Sequence, residues 1–405
     1  MAQRHLDPTA GPVPADVLAG YLRDRATEFL RALRLHRETG AGAAASEDSV
    51  EAARALRRAA RRVSASLHTF QPVLDPDWSE AMRPELAWVS GTLALEHACA
   101  SRLDQLLLAL HRLSGAPPLP PRRAATPRTP VPAGMARAAA ADGEAPQGPP
   151  APDHETRTSG TGGNSLPAGD GAEAEHPAHL RRTVTTTLTA TADRRATAPD
   201  RGNLTVGAAK AGALLDRQLT LARTRAHSTA LQALGSSRFH AVADKLAVLA
   251  SEVPLSPAAA HTDLRPLADA ARERLADAVA ALPLLTAGSP YNAEALIHGL
   301  SPDPAPHPQD APWHQVRLLL RLHRYALEVL HAGPDPGLLA AGEALDRHRD
   351  ASEAAAAAAQ AARTPRIAPA TAYALGVLHA DQRHEVEAAR YAFQRAWQKE
   401  ALGTL

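Results

Sequence analysis

A segment with the spacing of an α-helix carries a dense row of arginines near the start of the chain. Their positions are Arg54, Arg57, Arg58, Arg61 and Arg62, of which the first four recur at steps of three and four residues and share one helix face. No acidic residue lies between Ala52 and Phe70 to neutralise the row, and like charges at this spacing repel one another. Because the planar guanidinium group pairs well with phosphate oxygens, the row predicts a binding site for a phosphate-bearing anion.

A second basic row lies about 260 positions further along the chain. Its members are His314, Arg317, Arg321 and Arg324. At the same offset, the apolar positions Leu56, Ala60, Val63, Leu67 and Phe70 correspond to Val316, Leu320, His323, Leu327 and Leu330. A spacing shared on both faces indicates an internal repeat. We therefore predict two related halves whose basic rows face one cleft, with Leu56, Val63, Leu67, Val316, Leu320 and Leu327 buried. The alternative interpretation is that both rows are solvated helix faces.

The composition favours helices throughout the chain. Hydrophobic residues make up 45% of the 405 residues but aromatic residues only 3%. The core must therefore be built mainly from alanine and leucine, which favour helices over strands. We predict an all-α fold made of two pseudo-symmetric helical bundle halves. Cys99 is the only cysteine in the sequence, which excludes a disulfide framework and a multi-cysteine zinc site.

A long proline-rich stretch interrupts the helical pattern. It includes APPLPPRR and PQGPPAP and keeps almost no apolar period, so it predicts a disordered insertion. We place the first helical half at residues 12–114, the insertion at 115–203, and the remainder with the second repeat at 204–402. The segment MAQRHLDPTAGPVPAD has no apolar signal region, and no run of 18 apolar residues occurs. We expect a soluble, cytoplasmic protein that does not bind a membrane.

Charge balance and motifs restrict the function classes. The 44 Lys and Arg against 43 Asp and Glu leave a formal charge of +1, which argues against a uniformly basic nucleic-acid binder. The sequence contains no P-loop, GxSxG element, HExxH motif or clustered carboxylate set, so we expect neither catalysis, nor a metal site, nor a cofactor. RNA binding is an alternative because phosphate contacts do not distinguish polyanions, although neither basic helix offers solvent-facing aromatic residues that would stack on bases.

Both basic helices resemble the signature helices of CHAD domains, the conserved histidine α-helical domains. The first, ARALRRAARRVSASLHTFQPVLD, is similar to the pattern VHxxRVAxRRLRSxLRxF, with Arg54 in place of the histidine and Ser64 in place of an arginine. The second, HQVRLLLRLHRYALEVL, is more similar to its counterpart. Its residues on the polar positions of that pattern are His314, Arg317, Arg321, Arg324 and Tyr325. ALDRHRDAS resembles a further family element and places His348 and Asp350 on its histidine and aspartate.

The resemblance implies a non-enzymatic binding domain whose basic cleft holds inorganic polyphosphate, with association to polyphosphate granules. The predicted site residues are Arg54, Arg57, Arg58, Arg61, Arg62, His314, Arg317, Arg321, Arg324, Tyr325 and His348. Because the first repeat departs further from the family pattern, we expect the pair Arg317 and Arg321 to contribute more to binding than Arg57 and Arg61. The alternatives are binding of another polyanion, RNA or a nucleotide, and a degenerate CHAD scaffold with weakened anion binding.

Overall fold

The computed structural model describes residues 11–40, 47–115, 200–284, 286–288, 300, 307–331, 333 and 335–402. This part of the chain contains nine α-helices and no β-strand. The helices are α1 (Ala15–Gly40), α2 (Glu47–Thr69), α3 (Pro76–Ser114), α4 (Asp200–Leu234), α5 (Ser237–Ser251), α6 (Arg265–Ala280), α7 (Ala311–Val329), α8 (Pro336–Ala362) and α9 (Pro369–Leu402). The predicted all-α fold is confirmed.

The chain divides into two units, and every described residue belongs to the unit that combines residues 1–118 with residues 198–405. Helix α3 is followed by Gly115 in the left-handed conformation (φ 64°), which a residue without a Cβ adopts without strain. Helix α4 already begins at Asp200, so residues 200–203, predicted as the end of the disordered insertion, are helical. The rest of that insertion, residues 116–199, lies outside the described residues.

The two halves of the fold pack their helices in the same order. In the first half α1 packs against α2, α2 against α3, and α3 against α4; in the second, α6 packs against α7, α7 against α8, and α8 against α9. Helices α2 and α7, which carry the two basic rows, also pack directly against each other. The two basic rows therefore lie on helices that are in direct contact.

Each half has its own apolar core. The first core lies among α1, α2, α5 and the beginning of α3, and contains the fully buried rings of Phe29, Phe70 and Phe239. The second core lies among α6, α7, α8 and the end of α9, around Trp313 and Phe393. A third cluster of leucines and alanines joins α3 and α4 to α8 and α9. All four phenylalanines and Trp313 thus lie in these two cores.

The apolar stripe of α2 is buried as predicted, and that of α7 only in part. Leu56, Val63 and Leu67 are fully buried, as are Val316 and Leu320. Leu327, however, is only partly buried, so its prediction is wrong. Ala326 and Val329 are buried instead, within the first core. The reason is that α7 packs on α1 and α2 as well as on α6, which turns its buried side at the C-terminal end.

Local signals fix where the site-bearing helices begin. Asp335 caps α8, because its carboxylate accepts hydrogen bonds from the backbone N–H groups of Gly337 (2.7 Å) and Leu338 (3.2 Å). Proline occupies the first turn of both α7 and α8, where no backbone donor is needed. These signals fix the first residues of α7 and α8, the helices that carry Arg317, Arg321 and Arg349.

Helices α4 and α9 approach each other closely at Gly207. A Cβ at this position would overlap the carbonyl oxygen of Ala370 in the first turn of α9, so the contact requires glycine. None of the described helices is long and apolar enough to span a membrane.

Candidate functional site

Five arginines gather where α2, α7 and α8 meet. We call them the arginine cluster: Arg57 and Arg61 from α2, Arg317 and Arg321 from α7, and Arg349 from α8. Burial lowers the pKa of Arg57 to about 10, helped by the positive charges of Arg61 and Arg349 among others. Burial and neighbouring cluster arginines likewise lower the pKa values of Arg61, Arg317 and Arg321. The cluster therefore concentrates positive charge in a partly desolvated site.

The arginine row of α2 separates into paired and unpaired members. Arg54 and Arg58 form ion pairs with Glu51, at 3.5 and 2.7 Å, and Arg62 forms one with Glu328 of α7 at 2.8 Å. The row is therefore partly neutralised, because the acids lie just before it and on the neighbouring helix. The structure gives neither Arg57 nor Arg61 an ion pair with a described carboxylate, and the Nε atom of each is buried without a hydrogen-bond partner.

On α7, by contrast, the central arginines share one carboxylate. The Nε atom of Arg317 lies 2.5 Å from Oδ1 of Asp346, and Nη2 of Arg321 lies 3.4 Å from the same oxygen. The Arg317 side chain is 12% exposed, whereas that of Asp346, on α8, is 53% exposed. Asp346 therefore reaches the cluster from its solvent side and neutralises part of its charge.

Arg324 and Tyr325 lie further along α7. Arg324 packs against Gly342, since a Cβ at that glycine would lie 3.2 Å from Nη1 of the arginine. The guanidinium of Arg62 lies over the ring of Tyr325 at 5.7 Å from its centroid. Glu328 accepts hydrogen bonds from both Arg62 and Tyr21, which ties α1, α2 and α7 together. Arg62 and Tyr325 thus hold the two repeats together beside the cluster.

Sequence reasoning missed Arg349. Burial opposes its charge, but the carboxylates of Asp350, Glu353 and Asp346 together hold the pKa of Arg349 above its usual value, and the first two form ion pairs with it. Its positive charge contributes to the lowered pKa values of the four other cluster arginines. The signal that could have found it is its place on α8, three residues after Asp346 and therefore on the same helix face.

His314 lies at the N-terminal end of the α7 row. Its ring meets that of His348 edge-on, with centroids 5.6 Å apart, and its Nε2 atom is buried without a hydrogen-bond partner. Burial lowers the pKa of His314, and the charge of Arg317 acts in the same direction. Both effects favour the neutral form of the imidazole beside the cluster.

His348 lies inside the protein and not at its surface. Its side chain is 1% exposed, stacks on Trp313, and accepts a hydrogen bond from Nε of Arg390 at 3.3 Å. Burial and the positive charge of Arg390 lower the pKa of His348 to about 3. A direct contact between this side chain and a ligand in solution is incompatible with such burial. His348 is better described as part of the internal support of α7, α8 and α9.

That support is centred on a buried carboxylate, Asp310. Its oxygens accept hydrogen bonds from Arg383 and Arg390, both at 2.7 Å, and from Ser352 at 2.5 Å. Burial opposes the charged form, but the hydrogen bond and charge of Arg383 hold the pKa of Asp310 at about 2. This network fixes the start of α7 against α8 and α9, and hence the position of the α7 row. Among the described residues, no group of three or more His, Cys, Asp or Glu is placed to hold a metal ion.

Comparison with known proteins identifies the family of the chain. The sequence matches the CHAD domain over residues 24–157 and 169–351, which is well over half of the chain. A solved structure, PptA from Streptomyces chartreusis, is 60% identical, with a TM-score of 0.67, and the match covers 96% of this chain and all of PptA. No match is found among curated proteins. The extent of the family match, together with the duplicated helical fold, establishes that this chain belongs to the CHAD domain family.

Proposed function

We propose that the protein binds inorganic polyphosphate through the arginine cluster, as a binding domain without catalytic activity. The observation that carries the proposal is the pair Arg57 and Arg61: two half-buried guanidinium groups with no described carboxylate partner. Their lowered pKa values mean that the positive charges are held at a cost in free energy. A bound anion would offset that cost by supplying the missing acceptors.

A linear polyanion fits the cluster better than a single phosphate. The cluster draws its cations from three helices, so a chain with a charge on every phosphate can contact α2, α7 and α8 together. The proposed contacts are Arg57, Arg61, His314, Arg317, Arg321, Arg324 and Arg349, while Arg54, Arg58, Arg62 and Tyr325 flank them. Association with polyphosphate granules, and with it a cytoplasmic location, is the further part of this proposal.

The test is a binding isotherm with long-chain polyphosphate at several salt concentrations, for the parent and two double variants. Arg57→Ala with Arg61→Ala removes the unpaired arginines. Arg54→Ala with Arg58→Ala is the matched control, because it removes the same charge from the same helix but takes two arginines already paired with Glu51.

We expect the first variant to bind about 100-fold more weakly, because removing a charge-assisted hydrogen bond to phosphate costs about 1.5 kcal/mol at each arginine. Its log–log salt slope should fall by about 0.7 for each phosphate that is no longer neutralised, by analogy with single-stranded nucleic acid. The control should bind less than about threefold more weakly, the scale of exposed ion pairs. An equal reduction in both variants would contradict the assignment of the site. Stronger competition by single-stranded RNA than by polyphosphate at equal phosphate concentration would favour RNA as the ligand.

A further inference from the structure

Asp346 occupies the position in the arginine cluster where a ligand anion would have to lie. One of its oxygens, Oδ1, contacts both Arg317 and Arg321, one turn apart on α7. Burial lowers the pKa of Arg61 on α2, and the negative charge of Asp346 offsets a part of that lowering. Asp346 is thus an anion tethered to α8 and placed among three of the cations that define the proposed site.

A carboxylate oxygen and a phosphate oxygen use the same guanidinium donors. Phosphate that binds Arg317 through its Nε–H must therefore replace Asp346 at that donor. The Asp346 side chain is 53% exposed although that of Arg317 is only 12% exposed, so water can solvate the carboxylate when it leaves the arginines. A chain held at several other points can therefore displace it. After displacement the carboxylate remains nearby on α8 and repels the phosphate.

We propose that Asp346 is an internal competitor of polyphosphate, which covers the α7 side of the arginine cluster in the free protein and lowers its affinity for anions. This inference rests on the proposed function. Asp346 acts on Arg61 only through its charge, and neither Arg57 nor Arg61 forms an ion pair with a described carboxylate. A chain therefore engages α2 first and reaches α7 by displacing Asp346. A polyanion must therefore bind strongly enough at other residues to displace Asp346 before it can contact Arg317 and Arg321.

The experiment measures long-chain polyphosphate affinity for Asp346→Asn and Asp346→Ala. Asparagine keeps an acceptor oxygen for Arg317 but removes the charge, whereas alanine removes both. Glu343→Gln is the matched control, because it makes the same change in net charge one turn earlier on an exposed position of α8. Thermal melting of each variant shows whether the fold is kept. Asparagine has nearly the shape of aspartate, so the Asp346→Asn variant is expected to disturb the fold less than Asp346→Ala.

If Asp346 competes with the ligand, both Asp346 variants should bind about five- to tenfold more tightly than the parent, and Glu343→Gln should change affinity less than about twofold. Weaker binding by Asp346→Ala, with parent-like binding by Asp346→Asn, would show instead that Asp346 orients Arg317, and would overturn the inference. An equal gain in Glu343→Gln would also overturn it, by reducing the effect to net charge. If the parent does not bind polyphosphate at all, the proposed function itself fails.

Discussion

Helices α2 and α7 carry corresponding rows of cations, but different positions of the two rows form ion pairs. In α2, Arg54 and Arg58 are paired with Glu51 and Arg62 with Glu328, whereas Arg57 and Arg61 have no described acidic partner. In α7 the central two arginines share Asp346. The two helices thus differ in which of their arginines are paired with a carboxylate as well as in the number of arginines. The number of basic residues in a row is a poor measure of what a ligand can reach.

The interiors of the two halves differ as well. The first core is apolar and contains three phenylalanine rings. The second half buries an ionic network around Asp310, at a position that corresponds by the repeat offset to the exposed Val50. It also buries His323 where the first half has Val63. Variants at these two pairs of positions test whether different interactions stabilise the interiors of the two halves.

The largest effect should come from the buried network. Asp310→Ala leaves Arg383 buried without a described carboxylate partner, while Arg390 keeps its ion pair with Glu387. Breaking a buried pair in this way costs about 3–5 kcal/mol. Val50→Ala, at the equivalent position of the first half, should cost less than about 0.5 kcal/mol. Urea unfolding of both variants measures the difference. A cost below about 1 kcal/mol for Asp310→Ala would mean that the network does not stabilise the second half.

The two repeats should also differ in apolar packing. Leu67→Ala empties a fully buried site and is expected to cost about 2–5 kcal/mol. Leu327→Ala, at the equivalent position of α7, removes a side chain that is only partly buried, and the cost should be less than half as large. Chemical denaturation checks both values. Equal costs would contradict the rotated packing of the end of α7.

Acid sensitivity should be concentrated in the second half. Burial lowers the pKa of His323 to about 4, against about 6.5 in an unfolded chain. Between about pH 6.5 and pH 4 the unfolded state binds a proton on this histidine and the folded state does not, so stability is lost as pH falls through this range. His323→Val, which copies Val63, should remove a part of this loss on the order of 3 kcal/mol.

The check is the difference in unfolding free energy between pH 7 and pH 4.5, with the exposed histidine variant His261→Gln as control. The lowered pKa values of His348 and Asp310 also reduce the stability of the parent and of each variant at acid pH. The quantity compared between proteins is therefore the change in unfolding free energy from pH 7 to pH 4.5, and not its absolute value at either pH. An unchanged difference in His323→Val would place the acid sensitivity elsewhere.

The smallest effect is expected when the two central arginines of α7 are removed together with the carboxylate that they share. Removing Arg317, Arg321 and Asp346 together, as Arg317→Ala, Arg321→Ala and Asp346→Asn, takes away only one net positive charge and should weaken polyphosphate binding about tenfold. That is a smaller reduction than the one expected for Arg57 and Arg61, and it reverses the order expected from the family pattern. A larger reduction in the triple variant, measured in the same isotherm, would restore the original order.

The helices and the buried stripe of α2 followed from sequence periodicity, because apolar spacing reports directly on which face is covered. The charge state of the cluster did not, because it depends on partners that are distant in sequence. Glu328 lies on the other repeat, and Asp346 and Arg349 reach the cluster only through the packing of α8. His348 matched a family position, yet nothing in its local sequence indicated that it would be enclosed by Trp313 and Arg390.

The close approach at Gly207 limits how the chain can change in length. If α4 moved by one residue along its axis, Val206 or Ala208 would take the place of the glycine and meet the carbonyl oxygen of Ala370. Helix α4 is therefore confined to a single register against α9. Insertions or deletions ahead of Asp200 in evolution must be accommodated before the helix begins, since α4 cannot slide to absorb them.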